Sequence, residues 1–116
     1  MAVTIDGSAN TITATATSAV NAIGVGQTWQ QFTVPAQRAS GATNTNDTGR
    51  PIFISVRLDQ DDGQISLRVS GLVIASSGTT AGPQNYTVSA IIPAGATYVI
   101  TSSGTSGTSL FWYELR

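Results

Sequence analysis

The chain has 116 residues, a formal net charge of −1, and only 9% charged residues. It contains no cysteine and no histidine, and its five basic residues, Arg38, Arg50, Arg57, Arg68 and Arg116, form no run. This composition excludes a disulfide framework and thiolate chemistry. It removes the commonest general base and metal ligand, and it argues against a nucleic-acid partner.

Hydrophobic residues make up 41% of the chain, enough for one domain with a real core at this length. The charged fraction lies far below the roughly 25% usual for soluble domains. Gly, Ser and Thr take the place of charges, a surface common in proteins that pack against copies of themselves. The N-terminus, MAVTIDGSANTITATAT, has neither a basic start nor an apolar run, so it does not read as a secretory signal. No apolar run approaches the ~20 residues of a spanning helix, so no membrane insertion is expected. The expected site of synthesis and assembly is a cytoplasm.

Residues 1–22 are rich in Ala, Thr, Ser and Asn. Val3-Thr4-Ile5 alternates and stops at Asp6-Gly7, and Thr11 to Thr17 alternates Thr with Ile or Ala. With so little to bury, this segment is expected to be an extended arm that anchors the chain or pairs with another. The domain proper is expected over 23–116. Gln30 to Val34 reads as a strand stopped by Pro35, followed by a polar, extended stretch from Ala39 to Asn46 and a turn at Asn46-Asp47-Thr48-Gly49.

Ile52 to Leu58 is the clearest strand: Ile52, Ile54, Val56 and Leu58 point one way, and Phe53, Ser55 and Arg57 the other. Asp61-Asp62-Gly63 reads as a hairpin turn into a partner strand, Gln64 to Val69, with Ile65, Leu67 and Val69 inward. Leu72 to Ala75 is short and continuously apolar. Gln84 to Ile92 places Tyr86, Val88, Ala90 and Ile92 on one face, and Thr97 to Thr101 pairs Tyr98 with Ile100. Ser109 to Leu115 closes the chain as an aromatic strand. No window carries a 3.6-residue period, and β-branched residues dominate. About eight strands at roughly 8–12-residue spacing predict an all-β antiparallel sandwich or jelly roll.

Catalytic chemistry finds little to work with. Serines and threonines are plentiful, but no histidine or lysine is present to activate them. Asp59, Asp61 and Asp62 cluster near one turn. Their spacing departs from a calcium-binding loop, with no downstream glutamate, so they read as a solvated, outward loop tip. Gly24-Val25-Gly26 lacks the third glycine, the lysine and the helix of a phosphate loop; its glycines instead let the backbone bend tightly. The expectation is no catalytic residue, no metal and no cofactor. In Phe111-Trp112-Tyr113, alternation sends neighbours to opposite faces, so either Trp112 is inside or Phe111 and Tyr113 are. Phe53 points outward on its own strand. Phe53, Phe111 and Tyr113 are therefore the candidates for subunit contact.

The order of several short segments carries a resemblance. Gly24-Val-Gly-Gln-Thr-Trp-Gln, then Arg38-Ala with Thr43-Asn-Thr-Asn, then Thr48-Gly-Arg-Pro-Ile-Phe-Ile-Ser-Val, resembles the distal domain of phage and prophage tail-fibre proteins. Leu67 to Ile74, Ile92-Pro-Ala-Gly-Ala-Thr-Tyr and Trp112-Tyr-Glu-Leu-Arg continue the likeness. The opening Val3-Thr-Ile-Asp-Gly is similar to the start of phage fibre and other virion proteins. The resemblance implies a non-enzymatic, trimeric, all-β virion protein with recognition at its loop tips. Its implied partners are itself as a homotrimer, tail, baseplate or major capsid proteins, and a host-surface glycan. A short arm in place of a long shaft also suits a trimeric capsid decoration protein. A free lectin-like carbohydrate-binding module is the third expectation.

The strand pattern makes one direct prediction. Ile54→Asp places a charge on the buried face and is expected to abolish folding, read as loss of a cooperative thermal transition. A soluble variant with a native melt would mean the strand faces the other way.

Overall fold

The computed structural model describes residues 3–6, 11–14, 22–61, 63–78, 83–103 and 109–116. The described residues contain strands and turns and no helix. The strands are β1 (Val3–Asp6), β2 (Thr11–Ala14), β3 (Trp29–Phe32), β4 (Thr43–Thr45), β5 (Ile52–Asp61), β6 (Gln64–Val69), β7 (Leu72–Gly78), β8 (Pro83–Ile92), β9 (Thr97–Ser103) and β10 (Ser109–Leu115). β1 and β2 form a separate antiparallel pair. The other eight make two antiparallel four-stranded sheets, ordered β3-β10-β5-β8 and β4-β9-β6-β7. We call these the first and second sheets.

The sheets pack face to face because period-two alternation gives each strand one apolar side. From the first sheet come Ile52, Ile54, Val56, Leu58, Tyr86, Val88, Ile92 and Trp112; from the second come Ile65, Leu67, Val69, Tyr98 and Ile100. Every inward position expected from the alternation is buried or half-buried against this core. Trp112 is the inward residue of the aromatic triplet, fully buried, and Phe111 and Tyr113 face outward, half-buried.

Two expectations need correction. β5 and β6 are not a hairpin: β5 pairs with β10 and β8, whereas β6 pairs with β7 and β9. The chain passes from one sheet to the other between β5 and β6. The apolar side chains of both strands face one core from opposite sheets instead of lying side by side. Among the eight sandwich strands, only β6 and β7 are sequential neighbours within one sheet. The second correction concerns β7, which runs on to Gly78 as an edge strand. Its register with β6 shifts at Leu67/Arg68, and Leu72, Val73 and Ile74 are all exposed. A bulge breaks the strict alternation of faces, so continuous apolarity does not mean burial here.

The sandwich has two different ends. At one, Gln64 lies opposite Gly78 and Ser103, Asp61 opposite Pro83, and Asp59 opposite Ser109. The β5–β6, β7–β8 and β9–β10 connections all leave there. At the other end the chain enters. The Arg50 guanidinium donates to the carbonyls of Ala22 and Val25. Gln27 accepts from the Gly24 amide at 2.7 Å and donates to the Pro51 carbonyl at 2.8 Å. Gly24 and Gly26 have φ of 92° and 66°, the left-handed region that glycine enters without strain.

Asn46 ties this entry end together. Its side-chain amide donates to the carbonyls of Arg50 (2.8 Å), Ile92 (2.9 Å) and Pro93 (3.1 Å), and its Oδ1 accepts from Thr48 Oγ1 at 2.7 Å. Its backbone exchanges bonds with Ala96 and Gly95. One buried amide thus joins the β4–β5 and β8–β9 connections. Asn46→Asp would set a carboxylate against three carbonyls and is expected to cost about 3 kcal/mol, measured as a lower urea midpoint at unchanged slope. A midpoint within experimental error of the native chain would remove Asn46 from this role.

Candidate functional site

The first sheet presents an unusual outer face. Register places Trp29, Leu115, Phe53 and Ile91 side by side across all four strands near the entry end. At ~4.8 Å per strand this row is about 14 Å wide. Trp29 is 54% exposed and Ile91 55%. Trp29 meets Phe53 edge-to-face, with ring centroids 5.8 Å apart at 84°. The next row is Gln31, Tyr113, Ser55 and Ser89, and beyond it come Phe111, Arg57 and Thr87. The Arg57 guanidinium sits 4.6 Å from the Phe111 ring centroid. It also pairs with Asp59, Nε to Oδ1 at 2.8 Å and Nη2 to Oδ2 at 3.2 Å.

Phe53, Phe111 and Tyr113 therefore share one face, which the sequence alone did not join because they lie on two strands far apart in the chain. Trp29 and Ile91 complete it and were not expected there. The signal for Ile91 was its position next to Ile92, which alternation sends to the opposite face. The acidic residues are divided. Asp59 lies within β5 on the outer face, engaged by Arg57, and is not a loop-tip residue. Asp61 is the last residue of β5, opposite Pro83. Asp62 lies outside the described residues.

The densest polar chemistry is inside. Glu114 follows Trp112 by two residues on β10, so the same alternation that buries the indole buries the carboxylate. Its relative exposure is 0%. Oε1 accepts from Arg38 Nε at 2.9 Å, Tyr98 Oη at 2.8 Å and Trp112 Nε1 at 3.0 Å. Oε2 accepts from Arg38 Nη2 at 3.2 Å and Arg116 Nη1 at 2.8 Å. Phe32 supports both cations, with Arg38 4.1 Å and Arg116 5.7 Å from its ring centroid. Burial acts to raise the Glu114 carboxyl, but bonds from Arg38, Tyr98 and Trp112 outweigh it and hold the group below its ordinary value. Burial first, then the adjacent Glu114 charge and bond, push Tyr98 up to about 12.

The sequence contains a usable sign of this cluster. With Trp112 inside, the only glutamate of the chain must be inside too, and a buried carboxylate requires cations. No protein-family model, curated protein or solved structure matches the chain.

The cluster predicts a pH dependence. Glu114 has a depressed folded pKa, so its contribution is complete above its ordinary value of 4.5 and is lost as pH falls through the folded pKa. Tyr98 has a raised folded pKa, so its contribution is complete below 10 and lost as pH rises through about 12. Glu114→Gln leaves two arginines without their buried partner and is expected to cost roughly 3–5 kcal/mol. It should also flatten the acid limb of a stability-versus-pH curve. An unchanged acid limb would assign that limb to other carboxylates.

Proposed function

We propose that this chain is a non-enzymatic phage virion structural protein of the tail-fibre or receptor-binding type, displayed as a trimer. The observation that carries this reading is the polarity of the sandwich. The chain enters at one end, clamped by Arg50 and Gln27, and three strand connections leave at the other. A module attached at its entry end would present those connections outward. The strand orders, with six of seven successive connections crossing between sheets, support a jelly roll.

The outer face of the first sheet supports self-association. A row of Trp29, Leu115, Phe53 and Ile91 in a chain with few charges is a surface that repeats of the same chain can cover. The Arg57–Asp59 pair on the same face is locally neutral, so it opposes no like copy.

Light scattering of the purified chain is expected to report a trimer. Phe53→Glu is expected to give a monomer that still melts cooperatively, because Phe53 lies outside the core. A monomeric native chain would overturn the reading. Antibody labelling of virions then locates the protein. Label on the tail supports the fibre type, and label over the shell makes it a capsid decoration protein.

A further inference from the structure

On the flank between the edge strands β3 and β4, a cleft opens above the Glu114 cluster. It is lined by Phe32, Arg38, Thr43, Asn44, Thr45, Asp47 and Arg116. The two guanidiniums at its floor are largely buried, with 16% and 18% of their side-chain surface exposed. They are held from behind by one carboxylate, so they cannot turn away. Among the described side chains the charges do not balance: two arginines share Glu114, and the second negative charge is Asp47. That side chain is 81% exposed and reaches Arg116 only at 3.3 Å, a contact of the weak, solvent-screened kind.

Among the described residues, hydrogen-bonding capacity is left over as well. A guanidinium carries five N–H groups. The bonds to Glu114, Gln37 and Asp47 use three on Arg38 and two on Arg116. The rest of the rim is neutral and polar: the hydroxyls of Thr43 and Thr45 and the amide of Asn44. Phe32 is the only large apolar side chain in the lining, and Arg38 stacks on it. Such a lining suits a ligand made of hydroxyls more than one that brings apolar side chains.

We propose that this cleft binds an acidic sugar, with its carboxylate on Arg116 and Arg38 and its hydroxyls on Asn44, Thr43 and Thr45. Asp47 is then a resident counter-ion that the ligand's carboxylate displaces. The site lies within one chain and does not depend on assembly into a virion. Fixed planar guanidinium donors suit a carboxylate, and exposure of Asp47 makes its displacement inexpensive.

Isothermal titration of the full chain with glucuronate, glucose and a capped aspartate tests this at low salt. Glucuronate is expected to bind, and glucose to show no heat over the same concentration range. The capped aspartate supplies a peptide carboxylate without sugar hydroxyls and is expected to bind more weakly. Asp47→Asn removes the competing charge at an exposed position and is expected to tighten glucuronate roughly two- to fivefold, the reach of an exposed ion pair. Arg116→Gln, with its fold checked by melting, is expected to lose binding. Glucose binding equal to glucuronate, capped aspartate binding equal to glucuronate, or an Asp47→Asn variant with unchanged or weaker affinity would each overturn the proposal. Light scattering on the same sample separates the two readings, since a monomer that binds glucuronate keeps the site and loses the trimer.

Discussion

The carboxylate of Glu114 sets a condition that much of the sandwich must meet. It lies fully buried on a central strand, and a lone buried charge is expensive. Its four donors come from three regions: Arg38 on the β3–β4 connection, Tyr98 on β9 in the opposite sheet, and Trp112 and Arg116 flanking it on the β10 segment. The sheets must therefore stack in one register, and the β3–β4 connection must cross the open flank, before the charge is satisfied. A buried cluster of this kind adds little net stability over a well-packed apolar one. Its consequence is geometric, because an alternative packing that separates any donor leaves the carboxylate short of partners.

Asn46 does for the entry end what Glu114 does for the interior. Both are polar groups surrounded by complementary backbone or side-chain partners, and both join segments distant in sequence. Between them the hydrophobic core fills by simple alternation. The outer faces are then free to differ. The first sheet carries aromatic and aliphatic residues outward. The second carries hydroxyls outward over its middle strands, such as Thr101, Ser66 and Ser76 in one row, and its exposed apolar residues, Leu72, Val73 and Ile74, sit on the β7 edge. With so few charges in the chain, the placement of apolar residues, across one sheet and along one edge of the other, distinguishes the two surfaces more than electrostatics does.

Strand positions and inward faces were legible because they are local. Ile52 to Leu58 declares its buried side within seven residues, whatever it later pairs with. The misread β5–β6 connection shows where locality ends. Asp61-Asp62-Gly63 is a turn signal in either case, and nothing in three residues specifies whether the next strand stays in the sheet or crosses over. The candidate site was legible only in fragments. Phe53, Phe111 and Tyr113 were readable as outward or alternative positions, but their meeting on one face with Trp29 and Ile91 depends on which strands are neighbours. Asp59 looked like part of a loop tip because the strand was expected to stop at Leu58. It continues because β8 pairs with it to Asp61.

The sequence by itself determined the class of the fold: no helical period, repeated two-residue alternation, and turns placed between strands. It also determined that the single glutamate and the central tryptophan of the last strand share a face. Only the tertiary structure decided which face that is, which strands lie side by side, and that Arg38 and Arg116 close on the same carboxylate. The reason lies in the backbone. Every strand edge offers the same amides and carbonyls, so pairing is selected by the combined fit of two apolar faces and a few buried polar groups. That fit exists only when distant segments are brought together.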